Sequence, residues 1–211
     1  MRITEIFFSV QGESSHMGKP CVFVRLTGCS LRCVWCDTKY SYSGGKEMSL
    51  AEVLAAVEVH PARLVEITGG EPLEQDEAYP LMESLLSRNY TVMLETGGHI
   101  CIDRVPKPVI KIIDIKCPDS GAADTFCQEN IRLAALHDEF KFVIASRKDY
   151  EWSRDIVRNQ LRGSPNTILF SPSHDEMKPK DLAEWVLADG LPVRVQLQIH
   201  KYIWGADVRG V

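Results

Sequence analysis

Short apolar runs rich in β-branched residues recur along the chain, and glycine, proline or polar residues bound most of them. Such runs predict β-strands, because branched and aromatic side chains suit a pleated, half-buried surface. The predicted strands are 3–10, 21–27, 64–68, 91–95, 109–116, 140–144, 167–170 and 193–201.

Between these runs the pattern changes to stretches that predict helices. The clearest begins at Ser49, which forms a capping box with Glu52, and Pro80 marks the first turn or a break in the next helix. The segment 97–108 is short and contains two prolines, so no crossover helix is expected there. The predicted helices are 49–59, 76–88, 124–137, 150–161 and 179–188.

Strands that alternate with helices predict parallel βα units. About six such units are too few to close an eight-stranded barrel in a chain of 211 residues. The expected fold class is therefore α/β, with residues 1–211 forming one domain, an open, partial (β/α)6-type barrel with reduced helical content. In such a fold the carboxyl ends of the strands meet at one mouth, where sites form.

Composition and charge narrow the possible partners and compartment. The net charge is −5, so no basic surplus favours nucleic acid or an anionic membrane. No apolar stretch reaches the length of a membrane span, and the first residues lack the features of a signal peptide. These observations predict a cytoplasmic protein with seven cysteines, in which disulfides are not expected and clustered cysteines serve metal or redox chemistry.

Three cysteines are the strongest chemical signal. Cys29, Cys33 and Cys36 form a C-x3-C-x2-C loop directly after the strand 21–27, with no fourth cysteine nearby. A structural zinc site normally has four protein ligands, and a simple electron-transfer iron–sulfur cluster usually takes four cysteines. Three thiolates can instead hold a four-iron cluster and leave one iron open to a substrate. The remaining cysteines, which are scattered and expected to be incidental, are Cys21, Cys101, Cys117 and Cys127.

Polar residues follow the other predicted strands and are expected to meet the cysteine loop at the mouth. Arg25 lies in an apolar strand and either points outward or places a cation in a pocket for an anionic ligand. Asp114 and Lys116 share side-chain parity, so both can face one interior. The polar turn from Gln11, taken alone, is typical of an ordinary hairpin loop. The other residues expected at the mouth are Thr68, Gly69, Gly70, Glu71, Glu95, Ser171 and His200.

Two motifs together resemble the radical S-adenosylmethionine superfamily. They are the cysteine loop, with Trp35 before its third cysteine, and Gly69-Gly70-Glu71-Pro72 at the end of a core strand. The resemblance implies the partial-barrel fold of that superfamily and a [4Fe–4S] cluster whose open iron is chelated by S-adenosylmethionine. It also implies reductive cleavage of that cofactor to a 5′-deoxyadenosyl radical.

A narrower resemblance covers nearly the whole chain. Segments 7–13, 36–38, 95–97 and 198–201 together resemble the 7-carboxy-7-deazaguanine synthase family. The resemblance implies a carbon–nitrogen lyase of 7-deazapurine (queuosine) biosynthesis, which contracts the ring of 6-carboxy-5,6,7,8-tetrahydropterin with loss of ammonia. Hydrogen abstraction from C6 and regeneration of S-adenosylmethionine are implied with it. So are Mg²⁺, a homodimer and a flavodoxin- or ferredoxin-like reductant.

The resemblance also implies residue roles. Cys29, Cys33 and Cys36 would hold the cluster, and Thr38 would bind Mg²⁺. The residues expected to bind S-adenosylmethionine are Trp35, Asp37, Gly70, Asp114, Lys116 and Ser171. Those expected to bind the pterin are Val10, Gln11, Gly12, Glu13, Arg25, Thr68, Glu95 and His200, although a histidine at a strand end is also commonly structural.

Two rival functions remain open at this point. A radical S-adenosylmethionine activase that generates a glycyl radical on a partner enzyme would share the cysteine loop and the Gly-Gly-Glu-Pro turn. A non-catalytic zinc-binding interaction protein could use the three cysteines and a histidine. Two features depart from parts of the family: the short spacing between the first two cluster cysteines, and the eleven residues after His200.

Overall fold

A single nine-stranded sheet organises the molecule, whose computed structural model describes residues 1–211. Along the sheet the strand order is β3-β1-β2-β4-β5-β6-β7-β8-β9. The strands are β1 (Arg2–Val10), β2 (Pro20–Leu26), β3 (Lys46–Glu47), β4 (Leu64–Gly69), β5 (Thr91–Thr96), β6 (Ile110–Asp114), β7 (Glu139–Ile144), β8 (Thr167–Pro172) and β9 (Arg194–Val195).

The sheet is parallel except at one edge. Strands β2 and β4 to β9 run in parallel in sequence order, whereas β1 pairs antiparallel with both β2 and β3. The two edge strands, β3 and β9, do not pair with each other, so the sheet stays open. The predicted α/β fold, an open partial barrel, is confirmed.

Six α-helices accompany the sheet: α1 (Leu50–Glu58), α2 (Ala78–Ser87), α3 (Glu129–Leu133), α4 (Arg147–Asn159), α5 (Pro179–Asp189) and α6 (Ile199–Trp204). Helix α1 begins with the predicted capping box of Ser49 and Glu52, and Pro80 lies in the first turn of α2. No α-helix connects β5 to β6, as the short connection predicts. None of the helices combines the length and the apolar character that a membrane crossing requires.

Alternation along the strands separates two environments. One face of the sheet packs against the helices and forms the main core, which includes Val24, Ile67, Leu94, Ile113 and Phe142. The opposite face lines the barrel interior. Its base is filled by a small apolar cluster: Cys21, Phe23, Leu64, Met93 and Ile112. Further along the strands, toward their carboxyl ends, the same alternate positions carry polar side chains that line a cavity: Arg25, Glu66, Thr68, Glu95, Asp114 and Lys141.

The predicted helix 124–137 is wrong. The segment contains a 3-10 turn at Ala123–Thr125 and the five-residue helix α3. The amide N–H of Cys127 donates to the carbonyl of Gly98 (2.9 Å), and the Asn130 side chain donates to the carbonyls of Gly98 and Ile100. These bonds to the preceding loop replace the hydrogen bonds of a continuous helix.

The predicted strand 193–201 is also wrong over most of its length. Only Arg194–Val195 forms a strand, and His200 lies in helix α6 rather than at a strand end. The N–H of Ile199 donates to the carbonyl of Gly12 (3.0 Å), so the chain leaves the sheet to contact the turn after β1.

Candidate active site

A cavity of about 480 Å³ opens at the carboxyl ends of the parallel strands. It is lined by the cysteine loop, by the turns after β1, β4 and β5, and by inward-facing side chains of the sheet. Helix α6 and residues 206–211 close one side of it. Every residue predicted to bind a cofactor, metal or substrate lines this one cavity, except Ser171.

The three predicted cluster cysteines lie together on the cavity wall. All three thiols are free and partly buried, and the loop is fixed by contacts with its neighbours. The N–H of Ser30 donates to Glu74 Oε1 (2.7 Å), and the N–H of Val34 donates to the carbonyl of Ser120 (3.1 Å). Burial raises the pKa of Cys29 to about 11, and burial also raises the pKa of Cys33 although Lys116 opposes it. Thiolates at these positions therefore require a cationic ligand beside them.

The chemistry of the donor set fits an iron–sulfur cluster. A structural zinc site closes with four protein ligands, whereas an iron–sulfur cluster takes a cysteine thiolate at each iron that the protein ligates. Three thiols on one loop, without a fourth, match a cluster with one open iron.

The Gly69-Gly70-Glu71 turn brings β4 against this loop. A Cβ at Gly70 would overlap the carbonyl of Gly28 and lie 2.9 Å from Cβ of Cys29, so only glycine permits the approach. The carboxylate of Glu71 is fully buried and accepts hydrogen bonds from Thr96 Oγ1 (2.9 Å) and from the N–H of Gly97 (2.7 Å). Glu71 therefore joins the ends of β4 and β5, a structural role that the sequence did not reveal.

Ionic pairs stand on the same side of the cavity. Lys116 Nζ lies 2.6 Å from Asp114 Oδ2, as their shared parity predicted; burial opposes the charge of Lys116, but Asp114 outweighs it and raises the pKa of this lysine. Lys201 of α6 donates to Asp37 Oδ2 (3.0 Å), which ties that helix to the cysteine loop.

Of three further residues predicted to bind S-adenosylmethionine or Mg²⁺, two line the cavity and one does not. Trp35 lines the cavity. So does Thr38, whose Oγ1 lies 3.6 Å from Cys36 Sγ. Ser171 is buried, accepts a hydrogen bond from Gln196 (3.0 Å) and is not among the lining residues. Ser173, two residues further on, lines the cavity instead.

The turn after β1 forms the opposite wall. It connects the antiparallel pair β1 and β2, so it is a hairpin connection, yet Val10, Gln11, Gly12 and Glu13 all line the cavity. Its conformation is fixed from inside, because Gln11 Oε1 accepts from the N–H of Glu13 (3.0 Å). A Cβ at Gly12 would overlap Nδ1 of His200, so these two residues pack in direct contact.

Glu13 of this turn and three side chains of the sheet form a group of titratable residues that we call the cavity floor: Glu13, Glu66, Glu95 and Lys141. Lys141 Nζ is 2.6 Å from Glu13 Oε2 and is also paired with Glu95. Glu66 accepts a hydrogen bond from the Gln11 side chain. Burial, together with Glu95 and Glu13, raises the pKa of Glu66 well above its ordinary value.

Sequence reasoning missed Glu66 and Lys141. A usable signal was present, since each is a charged residue at an alternate position of an apolar strand, as Arg25 is. That signal indicates burial of a charge but not the face of the sheet on which it lies.

Arg25 points into the cavity, which excludes the outward alternative. Its side chain is 14% exposed, and its Nε donates to Glu5 Oε1 (2.8 Å). The Tyr40 hydroxyl donates to the same oxygen (2.8 Å). The Arg25 guanidinium stands 5.9 Å from the ring centres of both Phe7 and Tyr40.

The end of the chain reaches the same cavity. Residues 206–211, including Val211, line it, and the Arg209 guanidinium lies over the Tyr40 ring at 4.1 Å from its centre. Of the eleven residues after His200, Lys201 and 206–211 are thus part of the cavity wall.

The comparisons with known proteins agree with this geometry. Residues 23–186 match the model of the radical SAM superfamily. That match spans the second half of β2, the cysteine loop and the parallel strands β4 to β8. The chain belongs to the radical SAM superfamily, as its two motifs predicted.

Within that superfamily the relatives are more specific. The 7-carboxy-7-deazaguanine synthase of Koribacter versatilis is 48% identical, with all of both chains covered. That of Chlorobaculum tepidum is 46% identical, covering 100% of this chain and 97% of the relative. The crystal structure of QueE from Escherichia coli superposes with a TM-score of 0.78 at 25% identity, covering 93% of each chain. The chain belongs to the 7-carboxy-7-deazaguanine synthase family, and the narrower resemblance is confirmed.

Proposed function

We propose that this protein is a 7-carboxy-7-deazaguanine synthase. It converts 6-carboxy-5,6,7,8-tetrahydropterin to 7-carboxy-7-deazaguanine with release of ammonia, as one domain acting in the cytoplasm. One observation carries the proposal: a single cavity has the three-thiol loop on one wall and, facing it, a buried arginine and a set of carboxylate and amide acceptors. The family membership supports the same activity.

Residues of the first wall hold the cofactors. Cys29, Cys33 and Cys36 ligate the [4Fe–4S] cluster, and the open position receives S-adenosylmethionine. When bound, these groups supply the 5′-deoxyadenosyl radical that the reaction needs. The residues that contact S-adenosylmethionine are Trp35, Asp37, Gly70, Asp114 and Lys116. Asp114 Oδ1 is buried without a hydrogen-bond partner, so it has an acceptor site ready for a donor of the cofactor.

Residues of the other wall bind the pterin. Arg25 uses one of its five N–H donors on Glu5 and presents the others to the substrate carboxylate. The N–H groups of the reduced pterin need acceptors, and Glu13, Glu95 and Thr68 supply them. Gln11, Gly12 and His200 form the surface against which the ring packs.

Mg²⁺, the electron donor and the assembly state belong to the proposal as well. Thr38 gives Mg²⁺ one hydroxyl ligand, which suffices when water and substrate oxygens complete the octahedron. A flavodoxin- or ferredoxin-like protein supplies the electron, and the enzyme acts as a homodimer. Residues 206–211 and α6 exclude water from the cavity, since Lys201 anchors the helix to Asp37.

An anaerobic assay tests the activity. The protein is reconstituted with iron and sulfide and then given dithionite, S-adenosylmethionine, Mg²⁺ and the carboxytetrahydropterin. Formation of the deazapurine with equimolar ammonia supports the proposal. Cleavage of S-adenosylmethionine without that product indicates an activase, and stoichiometric zinc without iron–sulfur absorbance indicates a zinc protein; either result overturns it.

A further inference from the structure

Two lysines are buried on neighbouring strands but in different settings. Lys111 of β6 lies 3.1 Å from Asp138 Oδ2 and donates to the carbonyl of Val109 (2.9 Å), away from the cavity. Lys141 of β7 lines the cavity and pairs with Glu13 and Glu95. Their side chains are 4% and 6% exposed, so burial alone does not distinguish them.

The contacts of Lys141 join distant parts of the chain. Glu13 comes from the turn after β1 and Glu95 from the end of β5. Each carboxylate also accepts from a neutral donor: Glu13 Oε1 from Gln198 (2.8 Å), and Glu95 Oε2 from Thr68 (3.4 Å). Lys141 therefore stands between two carboxylates whose outer oxygens are already oriented.

One oxygen of this group keeps unused acceptor capacity. Glu13 Oε2 lies close to Lys141 Nζ, but the direction of that contact is poor for a hydrogen bond, and no other donor reaches the buried oxygen. An N–H donor of a bound molecule would complete it. Lys141 Nζ, by contrast, already has a hydrogen-bond partner, since it donates to Glu95.

The charge state follows from the surroundings of Glu13. Burial would raise the pKa of this carboxyl, but the nearby Lys141 ammonium and the hydrogen bond from Gln198 outweigh it and lower the pKa. The other titratable groups that face it are Glu66, Glu95 and His200. Lys141 is the only ammonium group in contact with Glu13.

We propose that Lys141 is a positioning residue, which holds Glu13 and Glu95 in the paired arrangement that accepts the N–H donors of the reduced pterin. This inference rests on the proposed function and extends it by assigning Lys141. The lysine acts through the two carboxylates rather than on the substrate, because its ammonium group is buried between them.

The test compares Lys141→Met with Lys141→Arg and with the matched control Lys111→Met. Each reconstituted variant is assayed for iron content, for KM and kcat with the carboxytetrahydropterin, and for the pH profile of kcat/KM. Separately, the pKa of the Glu13 carboxyl is measured by ¹³C NMR on glutamate-labelled protein, with the signal assigned through Glu13→Gln.

We expect Lys141→Met to retain its iron, to raise KM by roughly tenfold or more, and to raise the pKa of Glu13. The acid limb of kcat/KM then moves to higher pH, because the carboxylate is protonated over a wider range. Lys141→Arg keeps the wild-type limb, and Lys111→Met loses thermal stability without a change in KM or in the pKa of Glu13.

Two results would overturn the inference: an unchanged Glu13 pKa and KM in Lys141→Met, or an equal rise of KM in Lys111→Met. If Lys141→Met does not fold, Lys141→Met with Glu95→Gln restores the net charge of the floor and allows the same NMR measurement. If the wild type itself gives no deazapurine, the proposed function fails, whereas the NMR titration still decides whether Lys141 sets the charge of Glu13.

Discussion

The two walls of the cavity are built in opposite ways. Three cysteines within one loop of eight residues supply the cluster wall. On the opposite side, the cavity floor and the residues hydrogen-bonded to it are far apart in the chain. Gln11 and Glu66 are separated by 55 positions, Glu95 and Lys141 by 46, and Glu13 and Gln198 by 185. One wall is local in sequence and the other exists only in the folded chain.

The walls also differ in how their polar groups are satisfied. The thiols are free and partly buried, and burial raises the pKa of Cys29 and Cys33, which disfavours their thiolate forms when no metal is bound. The floor groups satisfy one another through ion pairs and hydrogen bonds before any ligand binds. The cluster wall is therefore completed by its cofactor, whereas the floor is preorganised, which lowers the cost of orienting a substrate.

The largest effect is expected on activity when a cluster ligand is removed, because this change affects the cluster wall and leaves the opposite wall intact. Cys33→Ala should lose the cluster and lower kcat/KM by at least about a thousandfold, or about 4 kcal/mol in the barrier. The melting temperature of the metal-free protein should change little, because the floor does not depend on Cys33. Iron analysis and calorimetry check this, with Cys127→Ala as the control; full iron in Cys33→Ala would contradict it.

A smaller effect is expected from the cation of the opposite wall. Arg25→Gln should raise KM for the pterin roughly 30-fold, since a charge-assisted hydrogen bond contributes about 2 kcal/mol. Iron content should remain at the wild-type level. Steady-state kinetics with Arg63→Gln, an arginine stacked on Tyr90 outside the cavity, provide the control. Loss of the cluster in Arg25→Gln would show that this arginine supports the fold instead.

Thr38 lies two residues after the last cluster cysteine, so its replacement tests this wall without removing a cluster ligand. Thr38→Ala should raise the Mg²⁺ concentration for half-maximal activity about tenfold, or about 1.4 kcal/mol, because the metal loses its protein ligand. Thr38→Ser keeps the hydroxyl and should restore the wild-type value. A Mg²⁺ titration decides the point, and an identical response of Thr38→Ala and wild type would exclude this ligand.

The smallest effect concerns stability at the floor. The folded protein raises the pKa of Glu66. The stability that this carboxyl group contributes is therefore fully present below its unfolded pKa of 4.5 and is lost as the pH rises through its folded pKa. Glu66→Gln stays neutral at every pH and keeps an acceptor for Gln11. Relative to wild type, the variant should gain about 1 kcal/mol, or roughly 2–4 °C in Tm, between pH 5 and pH 6. A difference in Tm that is constant with pH would mean that Glu66 is ionised in the folded protein.

Much of the fold was predictable because its signals are local. Strands β1, β2 and β4 to β8 follow apolar runs, whereas the two-residue charged strand β3 was not predicted. Helix α1 follows its capping box, and the missing helix between β5 and β6 follows from a short connection with two prolines. The predictions failed for 124–137 and 193–201, where hydrogen bonds to Gly98 and Gly12 replace the local preference. Those partners are distant in the chain, and no periodicity within either segment indicates them.

By itself the sequence determined the cluster ligands, the glycines at the end of β4 and the family, because spacing within a few residues is enough to define them. Tertiary structure alone decided the floor. Alternation predicts which residues of the same strand share a face with Glu66, Arg25 or Lys141. It does not say which face of the sheet lines the cavity, or which charged groups contact one another. Burying these charges is costly unless each finds a partner. Only the assembled sheet, with the turn after β1 folded over it, brings Glu13 and Glu95 to Lys141.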